Sequence, residues 1–422
     1  MIARPATALL LLVALATGCG DASGGKLDAN ADAVRSDGAG DAHSEDAARD
    51  DAARGDGGGG DMARADVALA DGARETSTGD GAGDGASADT TPARPRVFPG
   101  ASWATRTPAQ VGLDATKLDQ FVSNVGGAGV IVRDGYLVRS WGSSSGKFDW
   151  ASAAKPVIAT MLMFAVEEGL LASVDAKVSS AGWQLNAQDQ NMTFRQLANM
   201  TSGYARAEGP GQAWAYNDVA IKLYAVSVFD RVFKQTPNAA ALAAARLGAL
   251  SFQDGSIFSS RGGHGVSTSP RDFARIGWLW LNQGRWNGKQ LLPQSYFTQY
   301  QKPGVPATLP RTAAAGSDYL NVGSYGGDSD QTAYGPGIYG FNWWFNAIVP
   351  GSGGKRAWPA APPDTYQANG HWNREVVTVI PSLGIVVAAR GQWDSGENDF
   401  RPGDASWKMN QNLALLVQAA SP

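Results

Sequence analysis

Cysteine is almost missing from this chain of 422 residues: Cys19 is the only one, so no intramolecular disulfide and no cysteine metal site can form. Histidine is nearly as scarce. Of the three present, His43 falls in a stretch of Ala, Gly and Asp, which leaves His264 and His371, too few for the usual zinc hydrolase cluster. Any Ser-His-Asp triad would have to use one of those two. Large apolar residues are nearly absent from residues 20–97, where positions 21–96 hold 17 acidic and 8 basic side chains. Such a segment cannot bury enough apolar surface to offset its ordering entropy, and it reads as a disordered, self-repelling tether. Its Asp-Ala and Asp-Gly pairs are compositional bias, not a structural repeat. Setting aside the tether and Arg4 leaves 22 of the 39 acidic and 26 of the 35 basic residues, so the remainder is near +4. That small excess gives no basis for nucleic-acid binding.

The start of the chain reads as an export signal: Arg4, an apolar stretch from Ala6 to Ala16 that is too short to cross a bilayer, then Thr17-Gly18-Cys19. Small residues ahead of a lone cysteine resemble a bacterial lipoprotein lipobox, although Leu15 falls one place early. We therefore expect residues 1–19 to direct export, with Cys19 as the lipid attachment that anchors the protein to a membrane of the cell envelope. Residues 98–422 are expected to form one two-lobed domain.

The most informative stretch of that domain is Ser152-Ala153-Ala154-Lys155-Pro156, followed by the apolar run Val157 to Val166 and a stop at Gly169. Proline is tolerated only in the first turn of a helix, so the helix begins close to Ser152. Residues three apart share a helix face, which sets Lys155 over Ser152. First-turn N–H groups lack intrahelical partners, so the Ser152 N–H is free to bind an oxyanion. A serine becomes a nucleophile when a neighbouring group takes its proton, and an amine can do so if burial lowers its pKa. By itself the same spacing suits a helix N-cap beside a solvated lysine.

Elsewhere, Gly129–Arg133 and Tyr136–Trp141 flank Asp134-Gly135, a strong hairpin signal. Thr193 caps a short helix that ends at Ser202-Gly203, Asp218 is the expected cap of a helix from Val219, and Arg271–Leu281 is amphipathic. Glu375–Ile380 and Gly384–Arg390 form a second antiparallel pair, and Asn412–Ala419 closes the chain as a helix. Strand pairs near both ends with helices between predict an α+β fold. Its antiparallel sheet joins N- and C-terminal strands flanked by helices, beside a mostly helical lobe. Gly142-Ser143-Ser144-Ser145-Gly146 matches the G-x-S-x-G nucleophile elbow, but four residues intervene before the next helix, so Ser144 reads as a loop serine.

Five ordered segments together resemble the serine β-lactamase and penicillin-binding-protein superfamily, in its class C, esterase and D-aminopeptidase branch. They are Ser152–Lys155 with the Glu168-Gly169-Leu170 tail, Thr193–Gly203, Tyr216-Asn217-Asp218, Ser267–Arg275, and the late strand pair. The resemblance implies that Ser152 is the acyl-accepting nucleophile and that Lys155 and Tyr216 share the acid/base work. It implies no metal and no organic cofactor.

Two positions depart from the family pattern. Asp218 stands where an asparagine is usual, and a carboxylate cannot donate an amide hydrogen bond to an acyl carbonyl. Ala368-Asn369-Gly370 stands where Lys-Thr-Gly or His-x-Gly is usual on a sheet-edge strand, which removes the cation that would hold a β-lactam carboxylate. Gly370 still permits close backbone approach, and the His371 N–H would be the second oxyanion donor. His264, in a Gly-rich loop, is a candidate for the cleft lining, and Trp343, Trp344 and Trp372 for an apolar acyl pocket. The expected activity is hydrolysis of a small ester or amide, or of a cell-wall peptide, in preference to a β-lactam. The alternative is a silent protein that recognises cell-wall peptide or glycan.

Overall fold

The computed structural model describes residues 96–326, 334–396 and 400–421. Residues 1–95, which hold the expected export signal, Cys19 and nearly all of the expected tether, lie outside the described residues. Arg96 and Val97, the last positions assigned to the tether, already engage the fold: Arg96 Nη1 donates to Asn282 Oδ1 at 3.0 Å and Val97 N–H to Asp134 O at 3.0 Å.

Helix α1 (Ala115–Val125) starts at Asp114, whose carboxylate accepts from the Thr116 and Lys117 N–H groups, and it buries Leu118, Phe121 and Val125. Strands β1 (Ala128–Arg133) and β2 (Tyr136–Trp141) form the hairpin foreseen around Asp134-Gly135. Both turn residues are left-handed, at φ 51° and 89°, as a two-residue hairpin requires. Short β3 (Phe148–Asp149) precedes a 3₁₀ turn, Ala151–Ala154, that runs into α2 (Lys155–Glu167). Every residue of α2 from Lys155 to Ala165 is buried, and a helix apolar on all sides belongs in a core.

The helical lobe continues with α3 (Phe194–Ala198), α4 (Asp218–Val226), a π-helical extension Ser227–Phe233, and α5 (Pro237–Ala241). Thr193 caps the start of α3 as foreseen, with Gln196 completing a capping box, but the helix ends at Ala198, short of the expected Ser202-Gly203. The cap of α4 is Asn217, not Asp218: the Asn217 side chain accepts from the Val219 and Ala220 N–H groups. Asp218 is thereby released for another role.

Strands β4 (Phe258–Ser260) and β5 (Gly265–Thr268) complete a small sheet with β3. Next come α6 (Pro270–Leu281), the β6 (Arg285–Trp286) and β7 (Lys289–Gln290) ribbon, and α7 (Gln294–Tyr300). Strands β8 (Tyr339–Gly340), β9 (Trp343–Phe345), β10 (Tyr366–Gly370), β11 (Glu375–Ile380) and β12 (Ile385–Arg390) lead to α8 (Lys408–Ala420).

The main sheet runs β2-β1-β12-β11-β10-β9-β8, so the C-terminal strand pair docks directly on the N-terminal hairpin. Ala128 pairs with Arg390 and Arg133 with Ile385. Strands β1, β10 and β11 are buried along their whole length, which requires cover on both faces. Helix α6 covers one face, where Gly277 lies against Val386 and Val377. On the other face α1 pairs with α8, and Phe121 meets the Trp141 ring edge-on at 6.2 Å. The expected α+β fold is what forms. One detail differs: β10 is interior, with β9 and β8 beyond it, but β9 pairs only with Tyr366 and Gln367. Ala368–Gly370 is therefore an open edge within an otherwise covered strand.

Candidate active site

The Ser152 turn is fixed from both sides. Trp150 N–H donates to Val266 O at 2.9 Å and its indole Nε1 to Thr268 O at 2.8 Å, which ties the turn to β5. The Asp149 carboxylate accepts the Ala151 N–H at 2.9 Å. Ala151 itself holds a left-handed φ of 47°, a strained value for a residue with a Cβ. The opposing wall is the open edge of β10. A Cβ at Gly370 would lie 2.6 Å from Trp150 O, 2.8 Å from Ala153 N and 3.1 Å from Ser152 N, so only glycine allows this approach.

Lys155 is fully buried and its ammonium meets three oxygens. Ser152 Oγ is 2.6 Å away, Asp218 Oδ1 2.8 Å and Tyr216 Oη 3.1 Å. The ammonium donates hydrogen bonds to Ser152 Oγ and Tyr216 Oη and forms an ion pair with Asp218. Burial pulls this amine down, but the Asp218 carboxylate, and Tyr216 after it, outweigh burial and hold the Lys155 pKa above its ordinary value. The condition under which the amine would act as a base, a pKa lowered by burial, is not met, since the shift is upward. Lys155 keeps its proton because its neighbour is Asp218. Ser152 is half-buried, within reach of an incoming substrate.

The turn from β10 to β11 carries three successive left-handed residues: His371 at φ 46°, Trp372 at 54° and Asn373 at 63°. Side chains that sequence reasoning did not foresee hold it. Asn373 accepts from Asn369 Nδ2 and donates to Asp394 Oδ2 at 2.5 Å. Glu375, buried beneath the turn, lies 3.6 Å from His371 Nδ1 and 3.1 Å from Arg390 Nε. Burial pushes the Glu375 carboxyl up to about 7, with Arg390 offsetting part of the effect.

These walls enclose a cavity of about 260 Å³ whose lining includes Ser152, Tyr216, Asp218, Gly370 and His371. Trp344 and Trp372 line it as foreseen. Trp343 does not: it is buried edge-on against Trp280 at 5.5 Å. Tyr216 stacks on Trp344 at 6.0 Å, and Trp344 meets Phe400 at 4.9 Å, so one wall is aromatic. Arg261 and Phe400 also line the cavity, and neither sits in a motif that would have flagged it.

The expectation that His264 lines the cleft is overturned. Left-handed Gly262 and Gly263 turn the chain after Arg261, and His264 lies in a separate cavity with Nε2 3.1 Å from Asp230 and Nδ1 3.2 Å from Lys222. Ser144 does not line this cavity; it belongs to a tight turn in which its N–H bonds Gly142 O at 3.0 Å.

Among solved structures, the chain is similar to a beta-lactamase-like protein from Bacteroides dorei DSM 17855, with 18% identity and a TM-score of 0.51 over 73% of this chain and 99% of that one. It is also similar to a beta-lactamase from Mycobacterium bovis, at 19% identity and a TM-score of 0.48 over 72% and 100% of the two chains. A third is EstCE1, a hydrolase with promiscuous acyltransferase activity, at 14% identity and a TM-score of 0.49 over 71% and 98%. The first of these shows the shared fold; the other two stand as likenesses only. No curated protein matches this chain. The beta-lactamase family profile matches residues 115–402, from the first residue of α1 to the loop ahead of α8. That match takes in most of the described chain and both walls of the cavity, and the chain accordingly belongs to the beta-lactamase family of serine hydrolases.

Proposed function

We propose that this protein is an exported, envelope-tethered serine hydrolase that cleaves a small ester or amide through an acyl-enzyme on Ser152. The observation that carries the reading is the buried ammonium of Lys155 joined at once to Ser152 Oγ, Asp218 and Tyr216. A silent binding protein would have no use for that cluster. Two features favour an ester or amide over a β-lactam: Ala368 supplies no cation on β10, and Asp218 supplies no amide N–H. Export and a lipid on Cys19 belong to the same proposal and rest on the sequence of residues 1–19.

In this scheme Lys155 relays a proton and does not store it. Ser152 gives its hydroxyl proton to Lys155 as Lys155 gives one to the Asp218 carboxylate, and Oγ attacks the acyl carbonyl. The Ser152 and His371 N–H groups steady the oxyanion. Collapse expels the alcohol or amine, which Tyr216 protonates, and the Asp218 proton returns through Lys155 to restore Tyr216. Water then repeats the steps on the acyl-enzyme.

Hydrolysis of a short-chain p-nitrophenyl ester beside a chromogenic cephalosporin tests the activity. We expect ester turnover at least about 100-fold above cephalosporin turnover, since one charge-assisted contact worth about 1.5–3 kcal/mol and one neutral amide hydrogen bond worth about 0.5–1.5 kcal/mol are missing. Equal turnover would sink the esterase preference. Failure of a fluorophosphonate to label the protein, with no turnover of either compound, would favour the silent binding protein.

Asp218→Asn tests the relay. Without the carboxylate, burial is opposed by Tyr216 alone, and the amine itself must lose a proton to serve as base. Relative to the native enzyme, ester kcat/KM is expected to fall at least about tenfold near pH 6 and to recover toward pH 9. A variant whose pH profile overlays the native one would rule the relay out.

A further inference from the structure

Arg261 is a cation of the catalytic cavity that the acyl-transfer scheme leaves unused. It follows β4 with a left-handed φ of 51°, and the two glycines after it reverse the chain into β5. That turn sends the Arg261 side chain into the catalytic cavity while His264 goes to the neighbouring one. Nη1 donates to Tyr325 O at 3.1 Å, and Nη2 lies 3.3 Å from Asp149 Oδ2.

Asp149 neutralises Arg261 only in part. Its Oδ1 is already taken by the Ala151 N–H at 2.9 Å and the Ser260 hydroxyl at 3.0 Å, and its side chain is 44% exposed. A guanidinium carries five N–H groups, so donors remain after the two contacts. The other cation at the site, Lys155, has its own carboxylate in Asp218. The cavity thus offers a planar cation with spare donors beside the aromatic wall of Trp344 and Phe400.

We infer that Arg261 is a specificity-determining residue that binds an anionic group of the substrate beside Asp149, and not at position 368 of β10 where a β-lactam carboxylate would be held, so that the enzyme acts on carboxylate-bearing esters or amides other than β-lactams whose apolar part lies against Trp344 and Phe400. This deepens, and rests on, the hydrolase reading above. The guanidinium fork matches a carboxylate in two hydrogen bonds, which a lysine in its place would not reproduce.

Two substrate pairs read the charge preference in the full chain. Mono-p-nitrophenyl glutarate against p-nitrophenyl valerate places the carboxylate on the acyl part. 3-Acetoxybenzoate against phenyl acetate places it on the leaving group. In one pair the anionic member is expected to have the higher kcat/KM, mainly through KM. Arg261→Gln should lower that anionic-to-neutral ratio about tenfold or more, and Arg261→Lys less, as loss of a charge-assisted contact implies. The ratio is insensitive to the fraction of folded protein, so a weakly folding variant still reports. A ratio unchanged by Arg261→Gln in both pairs would overturn the inference.

Quenching of tryptophan fluorescence by 3-phenylpropionate and by its neutral amide, in the Ser152→Ala chain, separates the two readings. Tighter binding of the acid that disappears with Arg261→Gln, in an enzyme that turns over no ester, supports the subsite and overturns the hydrolase. Ester turnover with no preference for the acid does the reverse.

Discussion

Ser152→Ala is expected to lower kcat/KM for a p-nitrophenyl ester by about 10³-fold or more, because an acyl-enzyme route has no substitute for its nucleophile. Stability should change little. The lost hydroxyl is half-buried, and water can take its place against Lys155, whose bonds to Asp218 and Tyr216 remain. Fluorophosphonate labelling should vanish in the same variant, while Ser144→Ala keeps both turnover and labelling. Should Ser144→Ala abolish turnover while Ser152→Ala spares it, the nucleophile would be the G-x-S-x-G serine and the site described above would be wrong.

Gly370→Ala is expected to cost about 10²–10³ in kcat while leaving the protein folded. Gly370 does not hold a left-handed φ, so an alanine there meets no backbone strain of its own. The conflict is steric. Its Cβ would sit 2.6 Å from Trp150 O, 2.8 Å from Ala153 N and 3.1 Å from Ser152 N. These are backbone atoms, which cannot rotate aside, so β10 and the Ser152 turn must move apart by several tenths of an ångström. Overpacking of this kind typically destabilises by about 1–3 kcal/mol. A displaced pair of oxyanion donors costs catalysis much more, since one such donor accounts for about 10²–10³ in kcat. Steady-state kinetics and a thermal melt on the same preparation check both halves. Full activity in Gly370→Ala would show that the approach of β10 to Ser152 does not build the oxyanion site.

The element pattern was legible because local signals agree with the tertiary answer in this chain. Asp134-Gly135 adopts the left-handed pair that a two-residue hairpin needs, Thr193 and Gln196 form their capping box, and Pro156 falls in the first turn of α2. The apolar run after Lys155 had to be a buried helix for want of a polar face. The spacing of Ser152 and Lys155 is likewise local geometry: three residues of helical chain put both side chains on one face, and the contacts with Asp218 and Tyr216 help hold Nζ 2.6 Å from Oγ. Arg261, Asn373, Asp394 and Glu375 carried no such signal, since each acts across a turn or between strands distant in sequence.

The hairpin strand pairs, the helix that carries Ser152 and Lys155, and the glycine that β10 needs could thus be read along the chain, because each follows from contacts a few residues long or from the absence of a Cβ. The electrostatics of the site arise from the assembled fold. Asp218 read as a helix cap and a departure from a motif until Asn217 took the cap and the fold set its carboxylate 2.8 Å from Lys155, where it outweighs burial and keeps the lysine charged. His264 and Arg261 are three residues apart and were separated into different cavities by two left-handed glycines. Charge interactions depend on distance through space and on burial, and neither quantity is written in the order of residues along a chain.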